Sequence, residues 1–254
     1  MRTAWFWICI GMLTIGIGGC AKKTADELYR DGQKAVAEKA PDKAAKYFQR
    51  LVQRYPKDER ADDALLAWAR VAQERGSREE ALSLAKRLVE EYPQSAIAYK
   101  AEILMGNLSD DEEARVLYAE LYQEAVRATS NPDSLDKAEE IFRAFLDRFP
   151  EDERGDDTLF ALAQVAQNGD DELKAIATYE ELLKRYPDSE HNYKAQFMIG
   201  FIYSESLSDY KKARVAYQKV IDTYPRCDLV KDARFMIENM GKSIEELDIF
   251  KDKK

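Results

Sequence analysis

The stretch Ala44-Ala45-Lys46-Tyr47-Phe48-Gln49-Arg50-Leu51-Val52-Gln53-Arg54-Tyr55-Pro56 decides the fold. A small residue opens it, an aromatic follows one helical turn later, and an aromatic-Pro pair closes it. Proline has no N–H to give a helix and clashes with the preceding turn, so it ends the segment. The same ending recurs as Tyr92-Pro93, Phe149-Pro150, Tyr186-Pro187 and Tyr224-Pro225, with prolines 37, 57, 37 and 38 residues apart. Twelve residues before each Pro stands Ala44, Ala81, Ala138, Ala175 or Ala213, and four residues later Phe48, Ala85, Phe142, Tyr179 or Tyr217. The alanine permits close approach of a neighbouring helix, and the aromatic fills the space between stacked units.

Outward from this motif a second period emerges. Residues 41–106 align with 135–200 at a shift of 94, without a gap. Pro56-Lys57-Asp58-Glu59-Arg60 faces Pro150-Glu151-Asp152-Glu153-Arg154, and Tyr99-Lys100-Ala101 faces Tyr193-Lys194-Ala195. After a five-residue slip, Ala114-Arg115-Val116 faces Ala213-Arg214-Val215. This implies an internal duplication. The long gap between Pro93 and Pro150 should hold a helix near 95–107, a longer one near 111–129 and the helix ending at Phe149, an odd count that breaks strict pairing. About twelve helices are expected from 25 to 239, with Asn131-Pro132-Asp133-Ser134 as the clearest loop. Asp58, Ser95, Asp152 and Ser189 are expected helix caps, and Cys227 replaces a cap residue at the equivalent site.

The Ala–aromatic–Pro spacing resembles the tetratricopeptide repeat, a helix-turn-helix unit of about 34 residues. Gly32, twelve residues before Ala44, matches the family's small contact residue. The resemblance implies an all-α fold: a right-handed α-solenoid of about five to six helix pairs. Such a solenoid leaves a curved groove lined by the first helix of each pair. The family's groove positions fall on Asp26, Tyr29 and Gln33, then on Asp63, Leu66, Arg70 and Gln73, and later on Asp157, Phe160, Gln164 and Gln167. A polar groove with apolar insets suits an extended or helical peptide. The aspartates have a second explanation, since an acid in a first turn stabilises the helix dipole without any partner.

Residues 1–20 differ in kind. Arg2 is the only charge, an apolar run follows, and the segment ends in Ile17-Gly18-Gly19-Cys20. This is a secretory signal, and its end resembles the bacterial lipobox, in which the Cys thiol is acylated and the peptide cut before it. The alternative is an uncleaved membrane anchor, for which the run is near the lower length limit. The expected organisation is a signal peptide at 1–19, a lipidated tether at 20–24, a solenoid at 25–241 and a charged tail at 242–254. The resemblance to diderm lipoproteins, with Ala21 and not Asp after the expected lipidation site, implies sorting to the outer membrane, facing the periplasm. In a single-membrane host the anchor would stay on the outer face of the plasma membrane. The tether reaches only roughly 10 Å, so the first repeats should lie against the bilayer, with Lys22 and Lys23 near anionic head groups.

Composition narrows the chemistry. The 254 residues carry 48 acids against 39 Lys and Arg, a net charge of −9, which disfavours nucleic acid as a partner. One His and three Cys rule out a multi-His zinc site. With Cys9 removed and Cys20 blocked, only Cys227 remains as a thiol, read as a tolerated small residue with a redox role as the alternative. His191 is expected to be a solvated surface histidine. No nucleotide loop, nucleophile elbow or CxxC pair occurs. No cofactor, metal or small-molecule substrate is expected.

Lipobox, short tether and five such repeats resemble the BamD family of outer-membrane β-barrel assembly lipoproteins. The best local likeness runs from Glu27-Leu28-Tyr29 through Asp42-Lys43-Ala44 and Phe48 to Arg54-Tyr55-Pro56. The resemblance implies a non-enzymatic, membrane-anchored scaffold whose partners are envelope proteins or peptides. Alternatives are a coordinator of Tol-Pal, peptidoglycan or cell-division machinery, a pilotin-like secretion lipoprotein, or a helical envelope hydrolase.

Overall fold

A computed structural model describes residues 22–242. The expected signal peptide, the expected lipidation site Cys20 and tail residues 243–254 lie outside the described residues. The fold is all-α, with no strand among the described residues. Twelve α-helices follow in order: α1 (Ala25–Ala37), α2 (Pro41–Arg54), α3 (Ala61–Glu74), α4 (Arg78–Glu91), α5 (Ala98–Leu108), α6 (Asp111–Ala128), α7 (Leu135–Arg148), α8 (Gly155–Asn168), α9 (Glu172–Arg185), α10 (Asn192–Phe201), α11 (Tyr210–Thr223) and α12 (Val230–Asn239). They group into two compact units whose boundary falls inside α4, between Ala81 and Leu82.

In the first unit, α1, α2 and α3 pack consecutively. Thr24 and Glu27 form a reciprocal capping box that opens α1. Amphipathic spacing buries Leu28, Phe48, Leu51 and Leu65, each contributing about 1.5–3 kcal/mol by leaving water. The chain before α1 is pinned to the unit: the Tyr55 hydroxyl donates to the Lys23 carbonyl at 2.9 Å. The Lys23 ammonium binds the Asp31 carboxylate and lies over the Tyr47 ring. Lys23 is therefore engaged by protein groups, while its side chain stays 46% exposed.

In the second unit α5 to α12 again pack in succession. The five motif alanines and the aromatics Phe48, Phe142, Tyr179 and Tyr217 are all fully buried, as the spacing predicted. Glycine supplies the matching recess on the facing helix. A Cβ on Gly32 would lie 2.5 Å from the Phe48 ring, and on Gly106 and Gly200 2.8 Å from the rings of Tyr118 and Tyr217.

The odd helix count is resolved by α6. Its 18 residues serve two neighbours. Tyr118 packs over Gly106 of α5 and meets Phe149 edge-on at 5.5 Å. One turn on, Tyr122 meets Phe142 of α7 at 5.3 Å. The C-terminal half of α6 occupies the place that α1 holds before α2, so α6 closes one pair and opens the next.

The five-residue slip also has a physical form. After α10 the chain continues as a π-turn, Ile202–Ser206, and Ser208 takes a left-handed φ of 53° before Asp209 caps α11. The equivalent helix α5 ends at Leu108, two residues before its cap Asp110. Wider π turns absorb inserted residues without breaking a helix.

The expected caps act one turn early. Asp58, Ser95, Asp152 and Ser189 each accept the backbone N–H two residues on, at 3.1–3.2 Å. The regular helices begin only at Ala61, Ala98, Gly155 and Asn192. An extra turn intervenes, closed by bonds such as the Ala61 N–H to the Asp58 carbonyl at 3.0 Å. At the fifth site Cys227 is half-buried and packs against the α11–α12 core.

Candidate functional site

The second unit carries a concave cleft of about 540 Å³ whose walls come mainly from α8 and α10. Phe160, Gln164 and Gln167 of α8 line one side, at spacings that place them on one helix face. Lys194, Phe197 and Met198 of α10 line the other, with Leu229 at the start of α12 and Thr129 and Ser130 after α6. Amide and hydroxyl groups alternate with apolar ones, and Lys194 is the single charge. Such a lining can pair with a polypeptide backbone while seating its side chains.

Packing fixes the cleft wall. Phe160 is half-buried between Tyr179, with ring centroids 5.6 Å apart, and His191, stacked at 4.8 Å and 19°. His191 Nε2 lies 2.6 Å from an Asp157 carboxylate oxygen. An ionised carboxylate only accepts, so the ring nitrogen donates. Asn168 donates to the Thr129 carbonyl at 3.0 Å, tying α8 to the end of α6. Burial raises the Tyr179 hydroxyl above its ordinary value, and its long 3.5 Å contact reaches the Gln167 side-chain oxygen.

His191 is therefore not the solvated surface residue expected from sequence. Its side chain is 15% exposed, and its Nδ1 is buried without a hydrogen-bond partner. It sits at the start of α10, where the turn before the helix aims it back onto α8.

The structure thus brings four expected groove residues together. Phe160, Gln164 and Gln167 line the cleft, and Asp157 anchors its rim through His191. In the first unit the expected positions behave differently. Gln33, Arg70 and Gln73 are exposed, Tyr29 and Asp63 are half-buried, and Leu66 is buried in the unit's interior. Tyr29 leans on Phe48 at 6.0 Å. Asp26 pairs with Arg60 at 3.4 Å across to the turn before α3, and with Arg30 on its own helix at 3.7 Å. It therefore has side-chain partners beyond the helix dipole.

Lys194, Phe197, Met198 and Leu229 were not anticipated. Counting groove positions back from Ala213 runs one residue off, because Gly200 stands thirteen residues before Ala213 where Gly32 stands twelve before Ala44. With that one residue removed, the first two groove positions of that copy fall on Lys194 and Phe197. Among the described residues no cluster of potential metal ligands occurs, and no helix is long and apolar enough to cross a membrane.

Paired helices with an aromatic in each glycine recess, and a concave cleft on first helices, define a tetratricopeptide-like repeat protein. The chain belongs to the YfiO family of outer-membrane lipoproteins, the family of the BamD likeness. That family's model matches residues 21–153 and again 114–249. The two matches begin 93 residues apart, close to the internal shift of 94 read from the sequence, so each half of the duplication resembles the family separately. No curated protein matches the chain.

Solved structures similar to it include the tetratricopeptide protein TTC0263 of Thermus thermophilus, at 20% identity, covering 85% of this chain and 98% of that one, TM-score 0.35. Another is the TPR2AB domain of yeast Sti1 in complex with an HSP90 peptide, at 15% identity, covering 84% and 97%, TM-score 0.38. A third is MamA of Desulfovibrio magneticus, at 16% identity, covering 82% and 99%, TM-score 0.32.

Proposed function

We propose that this protein is a non-enzymatic scaffold, lipid-anchored through Cys20 to the periplasmic face of the outer membrane. It holds envelope polypeptides in the α8–α10 cleft during outer-membrane protein assembly. Residues 1–19 are the signal, 20–24 the tether and 242–254 a charged tail. The observation that carries the binding role is the convergence of Phe160, Gln164 and Gln167 with Lys194 and Phe197 on one concave surface. Family membership supports the anchor and its location. The exposed Gln33, Arg70 and Gln73 form a separate proposed contact surface on the first unit.

A photo-crosslinking residue at Gln164 tests the cleft in living cells. Adducts to unfolded outer-membrane proteins are expected, and Phe160→Ser and Phe197→Ser should remove them. Depletion followed by outer-membrane proteomics tests the assembly role, and unchanged barrel-protein levels would overturn it. Labelled palmitate should enter the wild type and not Cys20→Ala.

A further inference from the structure

The second unit holds two further clefts, of about 680 and 750 Å³, that share no lining residue with the α8–α10 cleft. They are one cleft copied by the duplication. Met105 lines the first where Ile199, 94 residues on, lines the second. Asp110, the cap of α6, lines the first where Asp209, the cap of α11, lines the second. The copies agree in size and in one unusual feature. Val116 and Val215, at equivalent positions beside the caps, are 62% and 56% exposed.

They disagree in charge at four equivalent positions, while the arginines beside the valines, Arg115 and Arg214, are kept. On α6 the exposed face around Val116 carries Glu112, Glu113 and Glu120. At the same positions on α11, 99 residues on, stand Lys211, Lys212 and Lys219. Lys86 on the floor of the first cleft becomes Glu180 in the second. Four charged positions are inverted while the exposed valine between them is kept.

Drift alone explains a charge lost, but a concerted inversion around a conserved apolar point makes two complementary surfaces. Glu112, Val116 and Glu120 are four residues apart in turn, so they form one stripe with its acids about 12 Å apart. Lys211, Val215 and Lys219 form a stripe of the same length. Laid against each other in either direction, they place each Glu beside a Lys and valine on valine. Among the described residues Glu112, Glu120, Lys211 and Lys219 make no ion pair within the chain, so the stripes do not satisfy each other internally. An acidic peptide or an anionic lipid would satisfy the basic stripe and leave the acidic one without purpose. A second copy of this chain satisfies both.

We propose that the protein self-associates through these duplicated clefts, the acidic α6 stripe of one copy docking on the basic α11 stripe of another. The contact is heterologous, joining different surfaces of identical chains. Charge pairs around an apolar centre give it orientation and salt dependence.

The test uses the full chain in detergent, followed by sedimentation equilibrium. The wild type should self-associate, at least about tenfold more weakly as ionic strength rises from about 0.05 to 0.5 M. Glu112→Lys with Glu120→Lys makes both stripes basic, and Lys211→Glu with Lys219→Glu makes both acidic. Each double variant alone should be monomeric, with circular dichroism and thermal midpoint unchanged because all four sites are exposed. An equimolar mixture of the two should associate again. A wild type that stays monomeric overturns the proposal, as do variants that associate like the wild type or a mixture that fails to recover.

Discussion

His191 and Phe160 lie face to face across the α8–α10 junction, ring centroids 4.8 Å apart and planes 19° from parallel. The imidazole is at once a packing plate for the cleft wall and a donor to Asp157. His191→Ala removes both roles and leaves the Asp157 carboxylate without that partner. Its unfolding free energy should fall by about 1–2 kcal/mol. His191→Phe keeps the ring contact and should lose less. Urea titrations of the two variants decide this, and equal losses would show that the stack contributes nothing.

Gly106 faces the ring of Tyr118, whose hydroxyl donates to Asn107 at 2.7 Å. Alanine ordinarily stabilises a helix interior over glycine by about 1 kcal/mol. Here the new Cβ would fall 2.8 Å from a buried ring, with no room for the ring to move outward. Gly106→Ala should therefore destabilise by about 1–3 kcal/mol, and Tyr118→Leu on the same chain should relieve part of the loss. A raised thermal midpoint in Gly106→Ala would contradict the close approach.

Asp152 is the most buried carboxylate in the ion-pair network, its side chain 5% exposed between Arg154 and Arg115. The Arg154 guanidinium and backbone N–H, helped by Arg115, hold its pKa below the ordinary aspartate value despite burial. Arg154 in turn lies over the Phe145 ring at 4.7 Å. Both arginines stay partly exposed, so Asp152→Asn should lose only about 1–3 kcal/mol at neutral pH. A carboxylate with a depressed folded pKa contributes above its unfolded value, and that contribution fades as pH falls towards the folded one. The gap between wild type and Asp152→Asn should therefore close below about pH 4. A gap constant from pH 7 to pH 3 would rule out the ion pair as its source.

Much of the fold was legible because the repeat writes its contacts at fixed spacing. Ala44, Phe48 and Pro56 each had a physical reason to sit where they do; four more copies repeated the alanine and proline, and three of them the aromatic as well. What was not legible depended on turns. His191 looked solvated because its neighbours in sequence are polar, and only the turn before α10 brings it onto Phe160. Leu66 was expected in the groove because a family position falls there, yet it is buried in its own unit. Phe197 was missed because one extra residue between Gly200 and Ala213 displaces the count. The charge inversion between α6 and α11 was present in the sequence throughout. It gained meaning only once the two valines were found exposed in equivalent clefts.

Helix α6 carries a last consequence. A loop between repeats tolerates gain or loss of a residue, since slack absorbs the change. In α6 one inserted residue between Tyr118 and Tyr122 would rotate everything after it by about 100° relative to everything before. Tyr118 could then keep its seat over Gly106, or Tyr122 its seat against Phe142, but not both. The join of the duplication is thus its least editable point: evolution may exchange a repeat at any loop, but it can shorten or lengthen the chain here only by rebuilding two neighbours at once.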